Sequence, residues 1–259
     1  NKFLRYKIQE KLMKKMVKSK VISVSRRSKY ILINLNNNYT IMFHLGMTGK
    51  IIIVDANRNK YATSFYYKSS DYKGLHNHIV FKFNKKIRLI YNDVRKFGFI
   101  KILDKRLLKH NLHLKNLGPE PLGNSFDFKY FKNYLINRNR TIKDILMDQK
   151  FVSGLGNIYV NEVLFLSKVK PTKKTYLIKN KEINKIIKNT KKTLKKAISL
   201  GGSSLRDFSS SDGKKGEFQQ YFYVYGRKGD NCLNRNCNKK IIKTIIGNRA
   251  TFYCPKCQK

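Results

Sequence analysis

Short runs of alternating or β-branched apolar residues dominate the first half of the chain, a pattern that predicts half-buried β-strands. Val21–Val24, Tyr30–Leu35 and Thr40–His44 are such runs, with Asn36-Asn37-Asn38 supplying a turn between the last two. Lys50–Val54, Ile79–Phe83 and Ile87–Asn92 continue the pattern, the last two joined across Asn84-Lys85-Lys86. Several short strands at close spacing predict an antiparallel sandwich or barrel. Lys2–Met16 fits neither period and receives no assignment.

After Leu117-Gly118-Pro119-Glu120-Pro121 the period becomes helical. Phe128–Asn137 and Thr141–Lys150 read as helices, and Ile158–Ser167 follows a Gly154-Leu155-Gly156-Asn157 turn in which Asn157 is placed as an N-cap. Glu182–Leu200 is the clearest helix. Ile183, Ile186, Ile187, Thr190, Leu194, Ala197 and Ile198 form one stripe, and Gly201-Gly202 stops it. Ser203–Gly216 is polar and glycine-containing and reads as a loop, and Gln219–Tyr225 reads as a strand. There is no internal repeat.

Composition then narrows the class. The chain has 259 residues, 41% of them hydrophobic, enough to bury real cores and too apolar for a disordered basic tail. No apolar run approaches a membrane span. Lys+Arg number 57 against 15 Asp+Glu, a formal charge of +42 that attracts polyanions. The sequence is also crowded with Lys, Asn and Ile, as compositional drift produces, so charge points to a nucleic-acid partner without naming one.

The four cysteines of the chain are Cys232, Cys237, Cys254 and Cys257, spaced C-x4-C-x16-C-x2-C. Two close pairs separated by a hairpin-length stretch suit a tetrahedral Zn²⁺ held by four thiolates. Two disulfides would need a secreted protein, and nothing here resembles a signal peptide. Arg249, just ahead of the second pair, is either an ordinary solvated arginine or a guanidinium held at a hairpin tip to clamp a phosphate. The Gly154-Leu155-Gly156-Asn157 turn is either a tight helix–helix connection or a set of backbone N–H groups offered to an anion. In His44-Leu45-Gly46-Met47-Thr48-Gly49 and Asp93-Val94-Arg95-Lys96-Phe97-Gly98, Met47 and Phe97 either pack a core or wedge into a base stack beside Arg95. Chemistry alone gives Lys29, in Arg26-Arg27-Ser28-Lys29-Tyr30, no special standing among so many cations.

Taken in order, these segments resemble the formamidopyrimidine-DNA glycosylase (Fpg, MutM) family of bacterial enzymes that remove oxidised purines. The resemblance runs through RRSKY (26–30), HLGMTG (44–49), HNHIVF (76–81), NDVRKFG (92–98), LGPEPL (117–122) and GLGNIYVNE (154–162). It continues through SDGKKGEF (211–218), VYGRKG (224–229) and RATFYCPKCQK (249–259). It implies an α+β fold: an antiparallel β-sandwich over 1–117, a helix–two-turn–helix domain over 118–222 and a zinc ribbon over 223–259. The implied partner is double-stranded DNA with oxidised bases or abasic sites, bound by a monomer in the bacterial cytoplasm, with one structural Zn²⁺ and no membrane.

By the same resemblance, Lys29 matches a strand lysine of the active site. Asn157 and Arg249 match two phosphate clamps, Arg249 serving also in the elimination step. His76, Arg95 and Arg138 match DNA-backbone contacts, and Met47, Arg95 and Phe97 match the triad that fills the space of the flipped base. Lys143 would lie near the lesion pocket, and Ser203–Gly216 would close over the base. The family's nucleophile is an N-terminal proline followed by glutamate. This sequence begins Asn1-Lys2-Phe3, so the resemblance implies a polypeptide that, as written, lacks the attacking group. The first knuckle, C-x4-C where many members have C-x2-C, still reaches a tetrahedral ion. Two other readings are an endonuclease VIII-like enzyme for oxidised pyrimidines, disfavoured by LGPEPL, GRKG and the Arg95/Phe97 segment, and a DNA-binding protein without chemistry.

Overall fold

The computed structural model of the protein describes residues 4–62, 74–84, 86–202 and 218–259. Among these, the residues up to Lys115 form one compact unit and those from Asn116 onward form a second. No helix among the described residues is long and apolar enough to cross a membrane.

The first unit holds α1 (Glu10–Met16) and eight strands: β1 (Val21–Arg27), β2 (Tyr30–Leu35), β3 (Tyr39–His44), β4 (Gly49–Val54), β5 (Lys60–Ala62), β6 (Asn77–Lys82), β7 (Arg88–Asp93) and β8 (Phe99–Asp104). They make two four-stranded antiparallel sheets, ordered β1-β2-β3-β8 and β5-β4-β7-β6. Ile33, Leu35, Ile41, Phe43 and Ile100 of the first sheet pack with Ile51, Leu89 and Tyr91 of the second, the predicted sandwich. The unassigned N-terminal stretch contains α1, whose Leu12, Met13 and Met16 lie on this core. Its charges suit the helix dipole, with Glu10 in the first turn and Lys14 and Lys15 in the last. Strand β8 shows no clean alternation because both faces are covered. Ile100 and Ile102 face the sandwich, whereas Phe99 and Leu103 join a second cluster with Leu32 and Met42.

The second unit contains α2 (Phe128–Leu135), α3 (Ile142–Met147), α4 (Asn157–Leu166), α5 (Asn180–Ser199) and the hairpin β9 (Ile242–Ile246) and β10 (Arg249–Tyr253). Asp127 caps α2 by accepting from the Tyr130 N–H, and Thr141 caps α3 by accepting from the Asp144 N–H. The helices close over Phe126, Phe131, Ile145, Phe151, Leu155, Val163, Leu164, Ile183 and Ile186. A smaller core of Phe165, Val224, Ile241, Phe252 and Cys254 fastens the cysteine module onto the end of α4. The sequence boundary at 222/223 therefore falls inside one compact unit.

Gln219–Tyr225 is not the predicted strand. Phe218–Tyr221 is a 3-10 turn, and the backbone N–H groups of Tyr223, Val224 and Tyr225 all donate to the Glu162 carboxylate, at 2.8, 3.0 and 2.9 Å. A buried carboxylate on α4 takes the donors that a neighbouring strand would otherwise have received. Ser203–Gly216 lies outside the described residues.

Candidate nucleic-acid interface and metal centre

In the first unit, two loops are joined by one buried carboxylate. The β3–β4 loop carries Met47, and the β7–β8 loop carries Arg95 and Phe97. Asp93, fully buried at the end of β7, accepts the Thr48 hydroxyl on Oδ1 at 2.5 Å. Its Oδ2 accepts from the Tyr91 hydroxyl at 3.1 Å and from the Gly98 N–H at 2.8 Å. Thr48 Oγ1 in turn accepts the Arg95 N–H at 3.1 Å. On the other side of β7, His78 Nε2 donates to the Asp93 carbonyl at 2.8 Å.

The loops also touch backbone to backbone. A Cβ at Gly46, whose φ is +63°, would stand 2.7 Å from the Gly98 nitrogen, and a Cβ at Gly98 would stand 2.5 Å from the His44 carbonyl oxygen. Only glycine permits that approach. From this frame Met47 and Phe97 project into solvent, 61% and 48% exposed, and the Arg95 guanidinium lies 4.6 Å from the Phe97 ring. Neither apolar side chain belongs to the core.

Lys29 is exposed in the two-residue turn between β1 and β2, not within a strand as the resemblance implied. The register pairs Arg27 with Tyr30, and Ser28 takes a left-handed φ of 54°, so the chain reverses at Ser28-Lys29. Beside it, at the end of β3, His44 stacks on Phe99 with ring centroids 5.4 Å apart. Burial, and then the neighbouring Lys29 charge, lower the His44 pKa, which keeps the ring neutral. Its buried Nδ1 has no hydrogen-bond partner. The sequence reading took this segment for Met47 alone and missed His44, Thr48 and Asp93. His76 is partly buried, at the end of a single 3-10 turn leading into β6.

In the second unit, the Gly154-Leu155-Gly156 turn is braced by one amide. Gln149 Oε1 accepts the Gly154 N–H at 2.8 Å, and its Nε2 donates to the Leu155 carbonyl at 3.0 Å. Asn157 does not cap α4 as expected. Gly156 occupies that position, and Asn157 is the first helical residue. Its Nδ2 donates instead to the Ala250 carbonyl at 2.8 Å, a partner far along the chain that local pattern could not reveal. One turn on, buried Asn161 donates to the Asn157 carbonyl at 2.6 Å and accepts the Phe252 N–H at 2.7 Å. The start of α4 is thus bonded to β10.

The β9–β10 hairpin turns through Gly247 and Asn248, with φ of 54° and 57°, so that Ile246 pairs with Arg249. Arg249 is exposed at the tip. Lys143 of α3 is buried beneath it, donating to the Ala250 carbonyl at 3.1 Å and to Thr251 Oγ1. Burial, relieved in part by Asp144 and reinforced by the like charge of Arg249, pulls the Lys143 pKa down to about 8. Arg138 is exposed after α2, 3.9 Å above the Tyr134 ring, with its Nε donating to the Tyr134 carbonyl.

The four cysteines converge, all sulfurs lying within 4.8 Å of one another. Cys232 and Cys257 Sγ are 3.8 Å apart, and Cys237 and Cys254 Sγ are 3.5 Å apart. A tetrahedral ion with metal–sulfur bonds of about 2.3 Å sets the sulfur–sulfur edge at about 3.8 Å, so the quartet fits. Asn234 Nδ2 donates to Cys257 Sγ at 3.1 Å. The module is tied to α4's end by Gln258, which accepts the Cys254 N–H at 2.9 Å and donates to the Val169 carbonyl at 2.9 Å.

Comparison with known proteins agrees with these features. Residues 1–100 match the formamidopyrimidine-DNA glycosylase N-terminal domain, and residues 117–209 match the formamidopyrimidine-DNA glycosylase H2TH domain. Formamidopyrimidine-DNA glycosylase of Rickettsia felis is 39% identical over 98% of this chain and 87% of its own length. That of Rickettsia bellii is 40% identical over 99% of this chain and 88% of its own. The structure of Lactococcus lactis Fpg in complex with DNA containing an abasic site superposes with a TM-score of 0.81 at 34% identity, covering 96% of this chain and 86% of that one. A complex of a mutant of that protein with Fapy-dG DNA gives the same values. The chain belongs to the formamidopyrimidine-DNA glycosylase family.

Proposed function

We propose that the protein is a base-excision DNA glycosylase and lyase for oxidised purines. The observation that carries this reading is the pair of loops joined by Asp93. Exposed apolar side chains cost little on a rigid frame only if a partner covers them, and an extruded base leaves a hole of that kind. Met47 and Phe97 fill the hole, and Arg95, held against Phe97, meets the unpaired base or its backbone. Flipping costs a few kcal/mol, which these contacts and the phosphate clamps offset.

Asn157 and Arg249 are the clamps in the second unit, with His76 and Arg138 as further backbone contacts. Asn157 Nδ2 carries two hydrogens, and the bond to Ala250 orients the amide while leaving the second hydrogen for a phosphate oxygen. Arg249 offers a fork at the hairpin tip, which suits bidentate phosphate contact. Lys143 acts from beneath, setting the position of Ala250 and the local potential under Arg249. Lys29, beside neutral His44, supplies a cation at the reacting sugar. Zn²⁺ is the ion for the cysteine quartet, since four thiolates in a closed tetrahedron form a structural site. When bound it pins the hairpin that carries Arg249.

In this reaction a secondary amine attacks the sugar C1′ as the bond to the base breaks, and the base leaves with a proton. An α-amino group has a pKa of about 8, so part of it is unprotonated at neutral pH. The test is borohydride trapping of the full-length protein on duplex DNA with 8-oxoguanine opposite cytosine, which should give a covalent adduct. Absence of an adduct would sink the lyase assignment.

A further inference from the structure

The clamp residues leave one charged surface unexplained. Helix α5 contains Lys181, Lys185, Lys188, Lys192 and Lys195, a spacing of four, three, four and three. At about 100° per residue these five fall on one face. Ile183, Ile186, Thr190, Thr193 and Ala197 fall on the opposite one and are buried, with α5 resting on α4 and α2. All five lysines are exposed, and among the described residues none makes an ion pair. The single acid of the helix, Glu182, is spent locally: it receives Lys173 at 2.7 Å and the Lys179 N–H at 2.8 Å.

Like charges three and four residues apart oppose helix formation, so the row works against the element that bears it. A polyanion relieves that repulsion. Fourteen residues separate the first and last lysine, about 21 Å of helix axis. One strand of a duplex advances one phosphate about every 3.4 Å of its axis, so the row laid along the axis covers the rise of about six phosphates, more than one for each lysine. A membrane fits less well. Interfacial helices insert an apolar face into lipid, and the apolar face of α5 is covered by its neighbours.

We propose that the lysine row of α5 is a second DNA-backbone site, distinct from the Asn157–Arg249 clamp. It faces away from α4, whose first residue is Asn157, so a lesion duplex at the clamp and an undamaged duplex on α5 are held together. The site reads charge alone and carries no base specificity.

The experiment uses a biotinylated duplex with a tetrahydrofuran abasic analogue, immobilised and loaded with the full chain. A second, fluorescent undamaged duplex is then offered across a salt series. The unaltered protein should retain the second duplex at low salt. The variant K181Q/K185Q/K188Q/K192Q/K195Q should still load the lesion duplex and capture less than about a tenth as much of the second. If all five lysines meet phosphates, the slope of log affinity against log salt for the second duplex is lost by about 4 to 5. A five-fold Lys→Arg variant should behave as the parent. Gln keeps helix propensity, and circular dichroism of the variant should match the parent. Equal capture by parent and Gln variant would overturn the proposal. So would a Gln variant that captures the second duplex like the parent and loses only binding to vesicles containing an anionic phospholipid, offered in a parallel arm in place of that duplex. Failure of the lesion duplex to load would count against the clamp, whereas failure of the parent to capture the second duplex alone counts against α5.

Discussion

Removing the Asp93 carboxylate should uncouple the two loops that carry Met47, Arg95 and Phe97. In Asp93→Ala, three donors lose their acceptor together: the Gly98 N–H, the Tyr91 hydroxyl and the Thr48 hydroxyl. The two hydroxyls can turn toward other oxygens, but the backbone N–H at Gly98 cannot. A buried donor left unpaired costs about 1–3 kcal/mol, and hydrogen bonds to a charged group contribute about 1.5–3 kcal/mol each. Recovering the hydration of the carboxylate offsets part of this, leaving a net loss of about 3–5 kcal/mol. With a urea dependence of about 2 kcal/mol per molar, the unfolding midpoint of the first unit should fall by about 2 M. Asp93→Asn keeps an oxygen for Gly98 and Tyr91 and should cost about 1–2 kcal/mol.

The functional readout is sharper than the stability one. Asp93→Ala raises the net charge, so affinity for undamaged duplex should hold or rise. If Met47 and Phe97 fill the hole of the flipped base as proposed, discrimination of a lesion duplex over an undamaged one should drop at temperatures where the variant is folded, because those side chains have lost their frame. Fluorescence anisotropy at fixed salt measures both affinities. A stability loss under about 1 kcal/mol, or unchanged discrimination in a folded variant, would refute the reasoning.

Three further outcomes follow from the second unit. Asn161→Leu leaves the Phe252 N–H unpaired inside and should cost about 2–4 kcal/mol, read as a lowered thermal midpoint, with Asn157 and Arg249 losing DNA affinity together. Arg249→Ala should weaken duplex binding and reduce the salt slope by about one phosphate contact, while Arg249→Lys restores the slope but not the full affinity. Lys143 has a folded pKa of about 8 against an ordinary value of 10.5, so the unfolded chain binds more protons between those limits. The cost of burying the charge is present in full below pH 8 and fades above it. Stability should therefore rise from pH 8 toward 10.5, and chemical denaturation of Lys143→Met across that range should show the rise abolished.

Periodicity made six of the first unit's eight strands and the four main helices legible, because apolar or β-branched residues recur along each at the period of its element; β1 carries that pattern although its residues are exposed. Strand β8 escaped because both its faces are covered, and α1 because none of its residues is fully buried, so no apolar stripe stands out among its lysines. Gln219–Tyr225 misled for a different reason: its aromatic residues carry strand propensity, but their N–H groups go to Glu162. Propensity is local, and a buried carboxylate that arrives from another helix overrides it.

The sequence by itself determined the classes of element, the cysteine quartet suited to a metal ion, and the motifs that place the chain in its family. Cysteine spacing and glycine-flanked loops are local facts, set by the reach of a few residues. Tertiary structure alone decided which polar groups meet. Asp93 binds Thr48, Asn157 and Lys143 share the Ala250 carbonyl, and Glu162 holds the segment ahead of the first knuckle. Those partners lie far apart along the chain, and a buried donor or acceptor takes whichever group packing brings within about 3 Å.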